Sequence, residues 1–121
     1  MTKRILVVED QEDNRRIMRD LLTAAGFEVI EAVNGNEALS VAEAEHPHLI
    51  VMDIQLPELD GLEAKRRIKA NPVLRHIPVI AVTSYAMSED NEKAMTAGCD
   101  AYFAKPVSPR TLLAKIREYL P

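Results

Sequence analysis

Three short runs in this chain carry no polar residue: Ile5-Leu6-Val7-Val8, Leu49-Ile50-Val51-Met52 and Val79-Ile80-Ala81-Val82. A strand with one wet face alternates apolar and polar side chains, so an unbroken run rich in branched residues must be covered on both faces. Such strands belong to a parallel sheet, whose strands need crossover connections that helices usually supply. Weaker runs at Glu28 to Ala32 and Ala101 to Ala104, flanked by glycine or charge, suit outer strands and bring the expected number to five.

The stretches between these runs have helical period. Ile17, Met18, Leu21, Leu22 and Ala25 recur at three- and four-residue steps ahead of Gly26, as expected of one apolar helix face closed by a C′ glycine. Asn34 and Glu37 have the spacing of a capping box, with Asn in place of Ser or Thr, ahead of Ala38, Leu39 and Ala42. Leu62 to Ala70 reads as a third helix, and Met87 to Ala97 as a fourth stopped by Gly98. Ser108-Pro109 reads as the N-cap and N1 pair of a fifth, with Leu112, Leu113, Ile116 and Leu120 on its inner face. The order βαβαβαβαβα predicts an α/β fold: a doubly wound, five-stranded parallel sheet with right-handed crossovers, in three layers α/β/α. At 121 residues, 47% of them hydrophobic, the chain is long enough for one domain with its own core and too short for two. A single domain over 1–121 is expected, with no room for an output domain between the last helix and Pro121.

Charge and cysteine usage narrow the function. A formal charge of −4 disfavours a nucleic-acid binder, which needs a basic face to neutralise phosphates. The one cysteine, Cys99, has no internal partner, and no Cys/His pair has zinc spacing, so a reducing compartment, the cytoplasm, is expected. The N-terminus lacks the apolar core of a signal peptide, and no apolar run approaches membrane length.

In open sheets of this kind ligands bind beyond the carboxyl ends of the strands. Glu9 and Asp10 follow the first run, Asp53 the third, Thr83 and Ser84 the fourth, and Lys105-Pro106 the fifth. If the first and third strands are neighbours, Asp10 and Asp53 lie close together in a crevice, and their repulsion calls for a cation. Carboxylates with no His or Cys nearby are hard ligands; Mg²⁺ suits them best, and Mn²⁺ is a possible substitute. A metal held by few ligands leaves positions for phosphate oxygens. Lys105 supplies a point charge and Thr83 a hydroxyl donor for such a group. Carboxylates are also competent phosphoryl nucleophiles, though spacing alone leaves open which aspartate attacks.

The segments VVED at 7–10, MDIQLPELDG at 52–61, AVTS at 81–84 and AYFAKP at 101–106 resemble the receiver domains of bacterial two-component systems, along the whole chain. The stretches at 53–61 and 76–87 are similar to stand-alone cell-cycle receivers of the DivK type and to receivers fused to hybrid histidine kinases. The resemblance implies a flavodoxin-like sheet of order 2-1-3-4-5. It implies a single-domain response regulator of a phosphorelay rather than a classical enzyme: a phosphoacceptor that assists its own phosphorylation and dephosphorylation. Asp53 matches the phosphoacceptor. Glu9, Asp10 and Asp53 match the Mg²⁺ ligands, together with the backbone carbonyl of Gln55. Thr83, Ser84 and Lys105 match the residues around the phosphoryl group, Tyr102 the aromatic switch, and Pro106 the residue after a cis bond that aims Lys105 inward. The implied phosphodonor is a histidine kinase or histidine phosphotransfer protein docking near the first helix, where Asn14 and Arg15 lie. The implied downstream partner is a protein that binds the face made by the helix at 87–97, the fifth strand and the last helix. Neither nucleic acid nor a membrane is an expected partner.

Two other classes fit less well. Aspartyl phosphohydrolases place a second acid two residues after the nucleophile of the first strand, whereas Asp10 is followed by Gln11 and Glu12; a flavin carrier needs a Ser/Thr/Gly-rich loop that is missing after Val8. Glu12 and Asp13 suit a solvated helix start, and His46, His48 and His76 suit surface or structural roles.

Overall fold

The computed structural model describes residues 2–53, 61–83, 101–104 and 108–120. The helix expected at Met87–Ala97 lies outside them. The described elements run β1 (Arg4–Val8), α1 (Glu12–Ala24), β2 (Glu28–Ala32), α2 (Gly35–Glu45), β3 (Leu49–Asp53), α3 (Gly61–Ala70), β4 (Val79–Thr83), β5 (Ala101–Ala104) and α4 (Pro109–Tyr119). The strands form one sheet in the order β2-β1-β3-β4-β5, parallel throughout, as the resemblance implied.

Period-two alternation within unbroken apolar strands sends successive side chains to opposite layers. Leu6, Val8, Ile50, Met52 and Val79 join Ala38 and Ala42 of α2 and Ala64 and Ile68 of α3 on one face. Ile5, Val7, Leu49, Val51, Ile80 and Val82 join Leu22 of α1 and Leu112 and Ile116 of α4 on the other. Register explains the sorting, because Ile5 pairs with Leu49 and Leu6 with Ile50 across the β1·β3 ladder.

Helix ends follow local chemistry. Gly26 sits at φ +97, with its N–H on the Thr23 carbonyl at 3.0 Å and the Phe27 N–H on Leu22 at 3.1 Å. That is a complete Schellman motif, and Phe27 packs into the same apolar cluster as Leu22. The Asn34 side chain accepts the Glu37 N–H at 2.8 Å, as the capping spacing predicts. At the other end of α2, His46 takes the left-handed conformation at φ 47 and closes the helix on Ala42. His48 accepts the Arg4 N–H on Nδ1 at 3.0 Å and donates its own N–H to the Arg4 carbonyl at 2.9 Å, extending the start of β1.

One expectation about the first helix is corrected. Ile17 is 65% exposed, because Met18, Leu21 and Leu22 form the stripe that faces the sheet and Ile17 falls beyond its edge. Ser108 and Pro109 are the N-cap and first-turn residues of α4 as expected; the Ser108 side chain makes no cap hydrogen bond, and the fixed φ of Pro109 favours the helix start. In urea denaturation, Asn34→Ala should cost about 1 kcal/mol. Gln11→Ala, at an N-cap whose side chain makes no cap bond, should cost less than about 0.5 kcal/mol. Ile80→Ala, which empties a fully buried position on the inner strand β4, should cost about 2–5 kcal/mol.

Candidate functional site

The carboxyl edge of the sheet gathers the acids. Pairing of β1 with β3 sets Val8 beside Met52, so the next residues, Glu9 just past β1 and Asp53 at the end of β3, come side by side at the sheet's edge. One carboxylate oxygen each from Glu9, Asp10 and Asp53 lies within 4.8 Å of the others. Glu9 is 6% exposed and Asp53 4%, while Asp10 is half-buried.

Backbone contacts hold this turn. The Glu9 N–H donates to the Ala32 carbonyl at 3.1 Å, continuing the β1·β2 ladder one residue past the strand. The Gln11 N–H donates to Glu9 Oε1 at 3.3 Å. Arg15, one helical turn on, donates from Nη1 to the Glu9 carbonyl at 3.0 Å and from Nε to Glu31 Oε1 at 3.1 Å. Sequence reading placed Arg15 only on a docking face. The contact with Glu31 depends on how α1 crosses β2, which helical period alone does not encode.

Glu12 and Asp13 are exposed in the first turn of α1, where its dipole favours them. Thr83 is the last residue of β4 and pairs in register with Ala104; Tyr102 lies within β5 opposite Ala81. Gln55, Ser84, Lys105 and Pro106 lie outside the described residues. Among the described residues, then, the structure brings together Glu9, Asp10 and Asp53.

Unit negative charges about 5 Å apart repel by roughly 1–3 kcal/mol per pair, depending on how much solvent screens them. An all-oxygen set of this kind fits a hard divalent ion such as Mg²⁺, which tolerates few protein ligands when waters complete its shell. Asp10→Asn should therefore raise the stability of the metal-free protein, by about 1 kcal/mol. It should also weaken the stabilisation that millimolar Mg²⁺ gives the wild type; thermal melts with and without the ion read both effects.

The response regulator receiver domain family matches residues 5–117. The polar-differentiation response regulator DivK of Brucella ovis is 49% identical over 120 residues, covering 99% of this chain and 98% of its own. Among solved structures, the receiver domain of a sensor histidine kinase from Pseudomonas aeruginosa superposes with a TM-score of 0.90 at 34% identity, covering 98% of each chain. That protein is described with a magnesium ion coordinated in its active site cleft. A CheY-like receiver domain protein from Methanospirillum hungatei gives a TM-score of 0.89 at 37% identity, covering 99% of this chain and 94% of its own. Sequence, topology and the acidic rim agree, and the chain belongs to the family of response regulator receiver domains, the phosphoacceptors of two-component signalling.

Proposed function

We propose that this protein is a single-domain response regulator of a phosphorelay, phosphorylated on Asp53 in a Mg²⁺-dependent reaction and signalling by phosphorylation-dependent binding to another protein. The observation that carries the reading is the convergence of Glu9, Asp10 and Asp53 at the carboxyl edge of β1 and β3. Two comparisons support it: relatives of DivK type matched over 98% of their length, and a receiver described with magnesium in the corresponding kind of cleft.

In this reading the Asp53 carboxylate attacks the phosphorus of a phosphohistidine on a histidine kinase or phosphotransfer protein. The P–N bond breaks, and the imidazole leaves and takes up a proton from solvent. Glu9, Asp10, Asp53 and the Gln55 carbonyl would hold the ion; bound there, Mg²⁺, or Mn²⁺ in its place, would neutralise charge on the carboxylates and the transferring group. Asp53 ends the central strand β3, which limits its freedom and presents one oxygen to an incoming phosphorus. Lys105 balances charge on the phosphoryl oxygens, and Thr83 and Ser84 donate hydroxyl hydrogen bonds to them. Tyr102 answers the movement of Thr83.

Because the machinery is in this chain, it promotes both its own phosphorylation and the later hydrolysis by water. Its downstream partner is a protein that binds the face of residues 87–97, β5 and α4, and the phosphodonor docks beside α1. No described helix is long and apolar enough to cross a membrane. A cytoplasmic location is the one we propose, supported by a lone cysteine in 121 residues.

Incubation with acetyl phosphate and Mg²⁺ should add one labile phosphate to the wild type and none to Asp53→Asn. Intact-mass spectrometry reads the result, and no labelling with several phosphodonors would sink the proposal. Lys105→Ala should keep the fold by circular dichroism yet lose the difference in partner binding between protein loaded with beryllofluoride and protein without it. Normal switching in that variant would remove Lys105 from its role.

A further inference from the structure

We propose that Arg15, seated on Glu31, is a positioning residue for the metal site, fixing the Glu9–Asp10 peptide so that both carboxylates meet Asp53. This inference rests on the metal-site reading given above.

A peptide unit is planar, so anchoring its carbonyl oxygen fixes the plane and the direction in which the next residue leaves. Both peptides flanking Glu9 are anchored. The Val8–Glu9 unit is tied through the Glu9 N–H to Ala32 at 3.1 Å, and the Glu9–Asp10 unit through the Glu9 carbonyl to Arg15 Nη1 at 3.0 Å. With both peptides flanking Glu9 anchored, the direction of its Cα–Cβ bond is constrained, and the Gln11 N–H on Oε1 at 3.3 Å restricts the carboxylate further.

Arg15 is itself fixed. Its N–H donates to the Gln11 carbonyl at 2.9 Å in the first turn of α1, and its Nε meets Glu31 Oε1 at 3.1 Å. Arg19 Nη1, one turn further along, takes the other oxygen, Glu31 Oε2, at 3.4 Å. Glu31 stands opposite Val7 in the β1·β2 ladder, so it is borne on a strand rather than a loop. The Arg15 and Glu31 side chains are only 17% and 30% exposed, which limits solvent competition for the pair.

Charge and geometry make opposite demands on Arg15. A guanidinium beside a site that must attract a cation opposes binding by simple Coulomb repulsion, so a purely electrostatic role requires that its removal tighten Mg²⁺ binding. A positioning role requires that removal weaken it, as outer-shell partners of metal sites do. Glu31 is shared by Arg15 and Arg19 and offsets only part of their charge, so a loss of Mg²⁺ affinity on removing Arg15 would report geometry rather than charge.

The test is calorimetric titration of the metal-free protein with Mg²⁺, alongside circular dichroism to establish cooperative folding. Arg15→Met should weaken binding by roughly tenfold despite deleting a positive charge. Arg15→Lys, which keeps the charge but has one nitrogen where two are needed, should also weaken it, and it carries the test alone if Arg15→Met does not fold. Arg4→Lys, which loosens the pair with Glu45 at the opposite end of β1, should lower stability without changing Mg²⁺ affinity. Tighter binding by Arg15→Met, or affinities of both Arg15 variants within about twofold of wild type, overturns the proposal. Failure of the wild type itself to bind Mg²⁺ overturns the metal-site reading instead.

Discussion

Lateral pairing of β1 with β3 is the constraint on which the rest of the molecule depends. It is a backbone interaction, indifferent to charge, and it ends by carrying Glu9, Asp10 and Asp53 into one corner. Hydrogen bonding and apolar burial along four residue pairs, Ile5–Val8 against Leu49–Met52, drive the strands together, and electrostatic tension at the rim is the consequence. A site in which carboxylates are crowded before any ligand arrives is prepared to take up positive charge. Strain of this kind tends to be found where function is.

The corner is stiffened from the side away from β3. β2 contributes the Ala32 carbonyl and the Glu31 carboxylate, and α1 contributes Arg15, so the turn after β1 is gripped by the elements on its outer flank. Gly26 and Asn34 then matter beyond their own helices. By closing α1 and opening α2 they set where β2 begins and ends, and β2 carries two of the groups that hold the Glu9 turn.

How much was legible in the sequence depended on whether the determinant was local. Unbroken apolar runs gave β1, β3 and β4, and one-residue chemistry gave the Schellman glycine and the Asn34 cap, since each needs only a few neighbouring residues. The acidic triad was legible once the strand order was supplied by resemblance, because the order decides which strand ends are neighbours. Ile17 was misplaced because periodicity gives a stripe but not its edges, which depend on the angle at which α1 lies over the sheet. Arg15 was assigned only to a docking face, since a salt bridge to Glu31 is decided by that same angle. His46 escaped notice as a helix terminator because a left-handed residue is ordinarily signalled by glycine or asparagine.

Among the described residues, the sheet divides the interior into two apolar compartments that share no residue: α2 and α3 pack into one, α1 and α4 into the other. Consecutive residues of a single strand therefore answer to different neighbours, and a change of volume at Ile50 is met by α2 and α3 while one at Val51 is met by α1 and α4. The helix beside which a phosphodonor is proposed to dock and the last helix, proposed for the downstream partner, share a compartment. A change of side-chain volume at Leu22 or Ile116 is therefore felt at once by elements proposed for two different partners.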